Sequence, residues 1–170
     1  MIEVKEQESL IDRELYTYQK NAIEAIFKRF KDFPESYNIL YQLPTGGGKT
    51  VIFSEIAKRY INEAVKKVLI LTHRIELSKQ TSKTLTEIGV QNMIINSSVK
   101  EIPDEDDYQC YVAMVETLNN RLKEDQLSIH NIGLVIVDEA HYNSFRKLFK
   151  YFKKCDILGV TATPLSSNIK

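Results

Sequence analysis

The stretch Leu43-Pro44-Thr45-Gly46-Gly47-Gly48-Lys49-Thr50 separates a predicted strand at Tyr37–Leu43 from a predicted helix at Lys49–Ala64. Three consecutive glycines allow the backbone to curl so that successive N–H groups face inward and bind an anion. The unpaired N–H groups and the positive dipole end at the start of the helix add to this anion site. The stretch departs from the general pattern G-x-x-x-x-G-K-[ST] at Leu43, which takes the place of the first glycine. The alternative is a glycine-rich turn followed by a Lys-Thr pair of no special role.

The side chains of this loop have the chemistry that a nucleoside triphosphate requires. Lys49 would place a positive charge against the β and γ phosphates, and Thr50 would place a hydroxyl on a magnesium ion. The pattern therefore predicts a site for ATP and Mg²⁺. The residues expected to surround the nucleotide are Pro44, Thr45, Gly46, Gly47, Gly48, Lys49 and Thr50.

A second motif begins where the short apolar run Leu134–Asp138, predicted to be a buried strand, ends in a carboxylate. Such a strand would bring Asp138 to the crevice that holds the phosphate loop, where it would hold Mg²⁺ through a water. Glu139 is then available to orient and deprotonate an attacking water. The alternative is a helix N-terminus, where acidic side chains suit the dipole. His141 is either an ordinary surface or core histidine or a group that senses the γ-phosphate side of the site.

Hydrophobic periodicity predicts alternating strands and helices along the chain. Parallel pairing with right-handed crossovers follows, which gives an α/β fold with a mostly parallel sheet and helices on both faces, in three layers. The remaining predicted strands are Val68–Thr72, Gln91–Asn96, Cys110–Ala113 and Ile157–Thr161, and the remaining helices are Leu15–Phe30, Ile75–Ile88 closed by Gly89, Thr117–Lys123 and Ser144–Lys153.

Length and composition limit the class of protein. The 170 residues suit one domain, and 43% hydrophobic with 27% charged residues is ordinary for a globular chain. The 23 basic residues balance 23 acidic ones, which excludes a globally basic nucleic-acid module. The start of the chain has no signal pattern and its apolar runs are too short to span a bilayer, so we expect a cytoplasmic protein without a membrane partner. Cys110 and Cys155 are expected to be buried thiols.

Six short motifs follow one another in a characteristic order. They are Tyr18-Gln19, Pro44–Thr50, Thr72–Arg74, Val115–Leu118, Asp138–His141 and Thr161–Pro164. This order resembles the first RecA-like lobe of superfamily 2 helicases and translocases of the DEAD/DEAH type. Within that superfamily the chain looks most like RadD-like, XPB-like and restriction-enzyme motor subunits, in which a leucine at the position of Leu43 is usual. The resemblance implies a RecA-like P-loop NTPase fold.

The resemblance also implies roles for residues of the nucleotide site. Gln19 would bind the adenine edge through its amide. Tyr16 stands where the family often has arginine, and its ring could stack on the base instead. Thr161 and Thr163 would couple the state of the γ-phosphate to movement between lobes, and their alternative is a strand-end turn closed by Pro164.

Two further segments would face a nucleic acid. Thr72, His73 and Arg74 would lie along its backbone, with Arg74 as a phosphate contact; the alternative for Arg74 is an exposed arginine at a helix start. In Val115–Leu118 only Thr117 is assigned to this face, because the anionic Glu116 would repel a phosphate.

The resemblance predicts a nucleic-acid-dependent ATPase that moves along, or unwinds, DNA or RNA. Residues 1–170 would form a single lobe, a fragment that lacks the second RecA-like lobe of the full-length chain. That partner lobe would supply arginine fingers, so the single lobe should bind nucleotide weakly and turn over slowly. The alternatives are a restriction-type motor that translocates on duplex DNA without strand separation, and a nucleotide-binding scaffold without hydrolysis.

Overall fold

Helices and strands alternate as the hydrophobic periodicity predicts. The computed structural model describes residues 17–32, 38–42, 49–72, 74–99, 108–123, 131–138, 149–152 and 154–161. The helices are α1 (Thr17–Asp32), α2 (Lys49–Ala64), α3 (Ile75–Glu87) and α4 (Val115–Lys123). The strands are β1 (Asn38–Gln42), β2 (Lys67–Thr72), β3 (Asn92–Ile95), β4 (Cys110–Met114), β5 (Ile132–Asp138) and β6 (Asp156–Thr161).

Each helix buries one stripe of its surface. In α1, Ala22, Ile26 and Phe30 recur at intervals of four and lie against the core. In α2, Ile52, Ile56 and Tyr60 do the same. This spacing places the apolar side chains on one face, and burial of that face supplies most of the stability of a helix in a protein. Among the helices that the structure describes, none has the length and apolar character needed to cross a membrane.

The six strands form one sheet in the order β1-β6-β5-β2-β4-β3. All pairs described by the structure are parallel, as predicted. The central strands β2 and β5 are apolar on both faces, with Val68–Leu71 and Leu134–Val137 buried. Continuous apolar runs are typical of parallel strands, because helices cover both faces of such a sheet. All six carboxyl ends consequently lie along one edge.

Two hydrophobic clusters occupy the two faces of the sheet. One contains side chains of α1, α2 and α3 packed on alternate strand residues such as Ile70 and Ile136. The other packs Leu118 and Leu122 of α4, with Phe152, against the intervening strand residues such as Val135. The predicted three-layer α/β architecture is therefore confirmed.

Helix α3 ends at Glu87, one residue before the predicted Ile88, and Gly89 closes it as predicted. Gly89 has a φ of 86°, a conformation that a residue without Cβ adopts without steric cost. Its N–H donates to the Thr86 carbonyl at 3.1 Å, and the Val90 N–H donates to the Leu85 carbonyl at 2.9 Å. These two bonds form a Schellman motif, which satisfies carbonyls that the end of a helix leaves unpaired.

Helix α2 ends at Ala64, and the next residue, Val65, adopts a backbone conformation that is unfavourable for a valine. Val65 has a φ of 55°, and its side chain is 80% exposed. The left-handed conformation costs an L side chain about 1–2 kcal/mol, while asparagine tolerates it better. Val65→Asn is therefore expected to raise the free energy of unfolding by about 1 kcal/mol in urea titration. The control Lys66→Asn changes an exposed neighbour whose φ is not positive, and equal effects of the two substitutions would contradict the prediction.

Several predicted elements have different limits in the structure. Helix α1 ends at Asp32, two residues after the predicted Phe30. Helix α4 begins at Val115, two residues before the predicted Thr117, because Val115 is buried and continues the apolar face. In the predicted helix Ser144–Lys153, the described part includes a 3-10 turn at Phe149–Tyr151. Phe152, which follows this turn, is buried.

Candidate functional site

Three neighbouring strands end at the positions where the nucleotide motifs begin. Strand β6 lies between β1 and β5, and Gln42 at the end of β1 pairs with Thr161 at the end of β6. Asp138 at the end of β5 pairs with Val160, one residue before Thr161. Since adjacent strands lie about 4.8 Å apart, the ends of β1 and β5 are about 10 Å apart. Gln42, which precedes the predicted phosphate loop, Thr161 and Asp138 therefore share one short section of the carboxyl edge.

Lys49 and Thr50 are the first two residues of α2, where the sequence predicts a helix start. Both side chains are half-buried. Ser54 Oγ donates to the Thr50 carbonyl oxygen at 2.8 Å, within the first turns of the helix. The positive end of the α2 dipole therefore lies at Lys49, so charge and dipole favour an anion at the same end of the helix.

The residues predicted to hold a magnesium ion supply hard oxygen atoms. Thr50 carries a hydroxyl, and Asp138, the last residue of β5, carries a carboxylate. Oxygen ligands of this kind, completed by water and phosphate, are those that Mg²⁺ prefers. The chemistry of this donor set fits the ion.

Gln19 lies on α1, and only 3% of its surface is exposed. It lies on the same side of the helix as the buried Ala22 and Ile23. The structure therefore places a polar amide on the otherwise apolar face of α1. A contact of this amide with adenine stays a prediction.

The other half of the carboxyl edge consists of the ends of β2, β4 and β3. Arg74 follows β2 and is exposed, and its side chain makes no capping hydrogen bond to α3. Thr117, in the first turn of α4 after β4, is half-buried. Because β2 and β4 are neighbours in the sheet, these two residues follow adjacent strand ends. Their contact with a nucleic acid stays a prediction.

Thr72 does not lie on an exposed face, contrary to the expectation. It is 1% exposed, and its Oγ1 forms a hydrogen bond of 2.6 Å with Ser78 Oγ. The Thr72 hydroxyl also donates to the Arg74 carbonyl at 3.2 Å. Thr72 thus orients the backbone of Arg74, and the pairing arises because the first turn of α3 folds back over the end of β2.

Several predicted site residues lie outside the described residues. They are Tyr16, Pro44, Thr45, Gly46, Gly47, Gly48, His73, Glu139, His141 and Thr163. Asp138 and Thr161 are described as the backbone ends of their strands.

The cysteines are unsuited to nucleophilic chemistry, as expected. Cys110 and Cys155 are both buried, and burial raises the pKa of each thiol, that of Cys155 to about 11. Cys155 Sγ donates to the Ile132 carbonyl at 3.0 Å. The thiolate is the reactive form of cysteine, and a raised pKa disfavours it. We therefore assign both cysteines to the core.

One buried arginine was not identified from the sequence. Arg121 of α4 is 9% exposed and donates two hydrogen bonds to the turn that follows β3. The sequence signals the turn through Asn96-Ser97-Ser98, since such residues favour turns after strands. No local pattern signals an arginine that reaches from another element.

A family model decides the relationship of the chain to known proteins. The family described as type III restriction enzyme, res subunit, matches residues 12–166. The chain belongs to this family. The assignment agrees with the first RecA-like lobe of superfamily 2 that the motif order resembles.

One curated relative and two solved structures are similar to the chain. The putative ATP-dependent helicase IRC3 of Saccharomyces cerevisiae is 34% identical over 164 residues, which are 88% of this chain and 23% of that protein. The SWI2/SNF2 ATPase core of Sulfolobus solfataricus, solved in complex with dsDNA, has a TM-score of 0.72 at 17% identity, covering 92% of this chain and 33% of that one. The type ISP restriction-modification enzyme LlaGI, solved with a DNA substrate mimic, has a TM-score of 0.68 at 18% identity, covering 92% and 19%. The chain thus spans about a quarter of IRC3.

Proposed function

We propose that the chain is the ATP-binding lobe of a nucleic-acid-dependent ATPase that moves along, or unwinds, DNA or RNA. The observation that carries this proposal is the neighbourhood of β1, β6 and β5, whose ends lead into three nucleotide motifs at one edge of the sheet. Open α/β sheets bind ligands in the crevice beyond the carboxyl ends of their strands. The name of the IRC3 relative, an ATP-dependent helicase, supports the same function.

Lys49 and the glycines before it bind the phosphates of ATP. Lys49 brings a positive charge to the end of α2 where the helix dipole is also positive. Gly46–Gly48 offer backbone N–H groups to the phosphate oxygens. Transfer of a phosphoryl group depends mainly on positioning and on stabilising charge, which these groups supply.

The end of β5 supplies the acidic groups of the reaction. Asp138 and Thr50 would hold Mg²⁺, which would neutralise charge on the phosphate oxygens. Glu139, the next residue, orients the attacking water and accepts its proton. Thr161, the last residue of β6, and Thr163, two residues later, sense loss of the γ-phosphate and transmit it to the second lobe.

The ends of β2, β4 and β3 form the nucleic-acid side of the lobe. Arg74 binds a backbone phosphate, and Thr117 lies at the next strand end. A protein of zero net charge needs such local contacts, because it has no general attraction for a polyanion. The SWI2/SNF2 ATPase core was solved with dsDNA and LlaGI with a DNA substrate mimic, which supports a nucleic-acid track.

A second RecA-like lobe completes the motor in the full-length protein. Arginine fingers from a partner are worth about 10³–10⁵ in the rate of phosphoryl transfer. The single lobe is therefore expected to hydrolyse ATP slowly on its own.

Stimulation of the ATPase by nucleic acids tests the proposed function. The purified full-length protein is assayed for phosphate release with single-stranded DNA, duplex DNA or single-stranded RNA at equal nucleotide concentration. At least one of them is expected to raise the rate about tenfold or more, since motors of this kind couple the nucleic acid to lobe closure. Chelation of Mg²⁺ should abolish the rate. A rate that no nucleic acid changes would contradict the proposal.

The second candidate is a translocase that moves on duplex DNA without separating strands. The family description as a restriction-enzyme subunit favours it. Displacement of a triplex-forming strand from blunt duplex DNA reports translocation, and release of one strand of a forked duplex reports unwinding. Triplex displacement without strand release would identify the translocase, and strand release would identify the helicase.

A further inference from the structure

The turn after β3 is built by its own hydrogen bonds. The Val99 N–H donates to the Asn96 carbonyl at 3.2 Å, which closes a turn of four residues. The Ser98 N–H donates to Asn96 Oδ1 at 3.0 Å. An asparagine that bonds to the backbone two residues later is typical of an Asx-turn. We call residues 96–99 the β3 turn.

Arg121 binds the β3 turn from another element. Its Nη2 donates to the Asn96 carbonyl at 3.2 Å and to the Ser97 carbonyl at 2.6 Å. The side chain is only 9% exposed. Hydrogen bonds from a charged donor are stronger than neutral ones, and a buried guanidinium needs them. Arg121 therefore ties α4 to the β3 turn.

The contact between Arg121 and the β3 turn links two parts of the carboxyl edge that we propose binds a nucleic acid. Thr117 lies four residues before Arg121, on the same side of α4. Ser97 and Ser98 are exposed on the β3 turn. The Ser98 hydroxyl donates to Asn96 Oδ1 within the turn, whereas Arg121 binds Ser97 through its carbonyl and leaves the Ser97 side chain on the surface. Because β3 is the neighbour of β4 and β4 of β2, the β3 turn extends the row that Arg74 and Thr117 begin.

We propose that Arg121 is a positioning residue for nucleic-acid binding: it holds the β3 turn so that the Ser97 hydroxyl meets the sugar–phosphate backbone of the bound strand. Hydroxyl groups commonly bind phosphate and sugar oxygens, and such contacts set register and affinity without reading the bases. Arg121 itself stays buried and acts through the two carbonyls. This inference rests on the proposed nucleic-acid-dependent function.

Binding measurements on the full-length protein test this inference. Fluorescence anisotropy measures the affinity of the protein for a labelled single-stranded DNA and for the corresponding RNA, both in the absence of ATP. ATPase assays give the DNA concentration at which the rate is half-maximal. Arg121→Gln is expected to weaken binding about tenfold, and Arg121→Lys less, because an ammonium still reaches a carbonyl. The ATPase rate at saturating DNA should recover, since the defect lies in affinity.

A salt titration separates positioning from a direct phosphate contact. Loss of one phosphate contact would reduce the slope of log K against log salt by about 0.7 for a single strand. The slope of Arg121→Gln is expected to equal that of the parent. A reduced slope would overturn the positioning role.

A matched set of variants completes the test. The variant Ser97→Ala should weaken binding about fivefold, and adding Arg121→Gln should cost less than the product of the two effects, because they act on one contact. Asn120→Ala, which truncates an exposed side chain of α4, is the control and should bind like the parent. If Arg121→Gln does not fold, the binding affinities of Arg121→Lys and of the serine variant still test the inference. Unchanged binding by these variants overturns the inference, whereas binding without ATPase stimulation in the parent overturns only the proposed function.

Discussion

Lys49→Ala is expected to weaken ATP binding about 30- to 100-fold and to abolish measurable hydrolysis. Lys49 is the first residue of α2 and directly follows the three glycines. Its removal leaves the helix N-terminus without the charge that meets the β and γ phosphates. A charge-assisted contact of this kind is worth about 2–3 kcal/mol, which corresponds to that change in affinity.

Calorimetric titration with a non-hydrolysable ATP analogue in the presence of Mg²⁺ measures this effect. Lys58→Ala is the matched control, because it removes the same side chain from an exposed position of the same helix. The control should bind like the parent. Equal affinities of Lys49→Ala and the parent would contradict the assignment of the phosphate loop.

Glu139→Gln is expected to reduce nucleic-acid-stimulated ATP hydrolysis about 10²–10⁴-fold while leaving ATP affinity within about threefold. The amide keeps the shape of the side chain and can still contact water, but it cannot accept the proton. Asp138, which we propose holds Mg²⁺, is unchanged. The loss should therefore appear in kcat rather than in KM for ATP.

Single-turnover and steady-state phosphate release, with saturating DNA, measure this loss. Glu116→Gln removes the same charge from an exposed position of α4 and should retain hydrolysis. Hydrolysis that survives Glu139→Gln would show that another group activates the water. If the parent binds ATP but never hydrolyses it, the chain belongs to a nucleotide-dependent scaffold instead.

The two substitutions distinguish the hypotheses because they separate binding from chemistry. A motor loses binding with Lys49→Ala and turnover with Glu139→Gln. A scaffold loses binding in the first case and has no turnover to lose in the second. The phenotype of the pair is therefore more informative than either variant alone.

Secondary structure was predictable wherever the hydrophobic pattern was strong. Helix α2 has the predicted limits, Lys49–Ala64, because glycines precede it and its apolar stripe is continuous. The buried strands β2 and β5 were equally clear from their apolar runs. The start of α4 was missed because Val115 suits a strand as well as a helix, and packing against the second face of the sheet decides it.

The sequence predicted which residues the candidate site contains and their order along the chain. It was less informative about which side chains contact one another. Thr72 was expected on an exposed face, yet its hydroxyl is buried against Ser78. The hydrogen bonds by which Arg121 holds the β3 turn were not predicted. Both contacts join residues of different elements, and such contacts leave no periodic trace in a sequence.

The sequence alone determined the α/β class, the positions of the phosphate loop and the acidic motif, and the membership of the superfamily, because these depend on local spacing and on residue chemistry. Tertiary structure alone decided that β6 inserts between β1 and β5 and that β4 and β3 follow β2 on the other side. That order separates the strand ends proposed to bind the nucleotide from those proposed to bind a nucleic acid. It depends on which strand pairs bury the most apolar surface together, and a linear pattern does not contain that information.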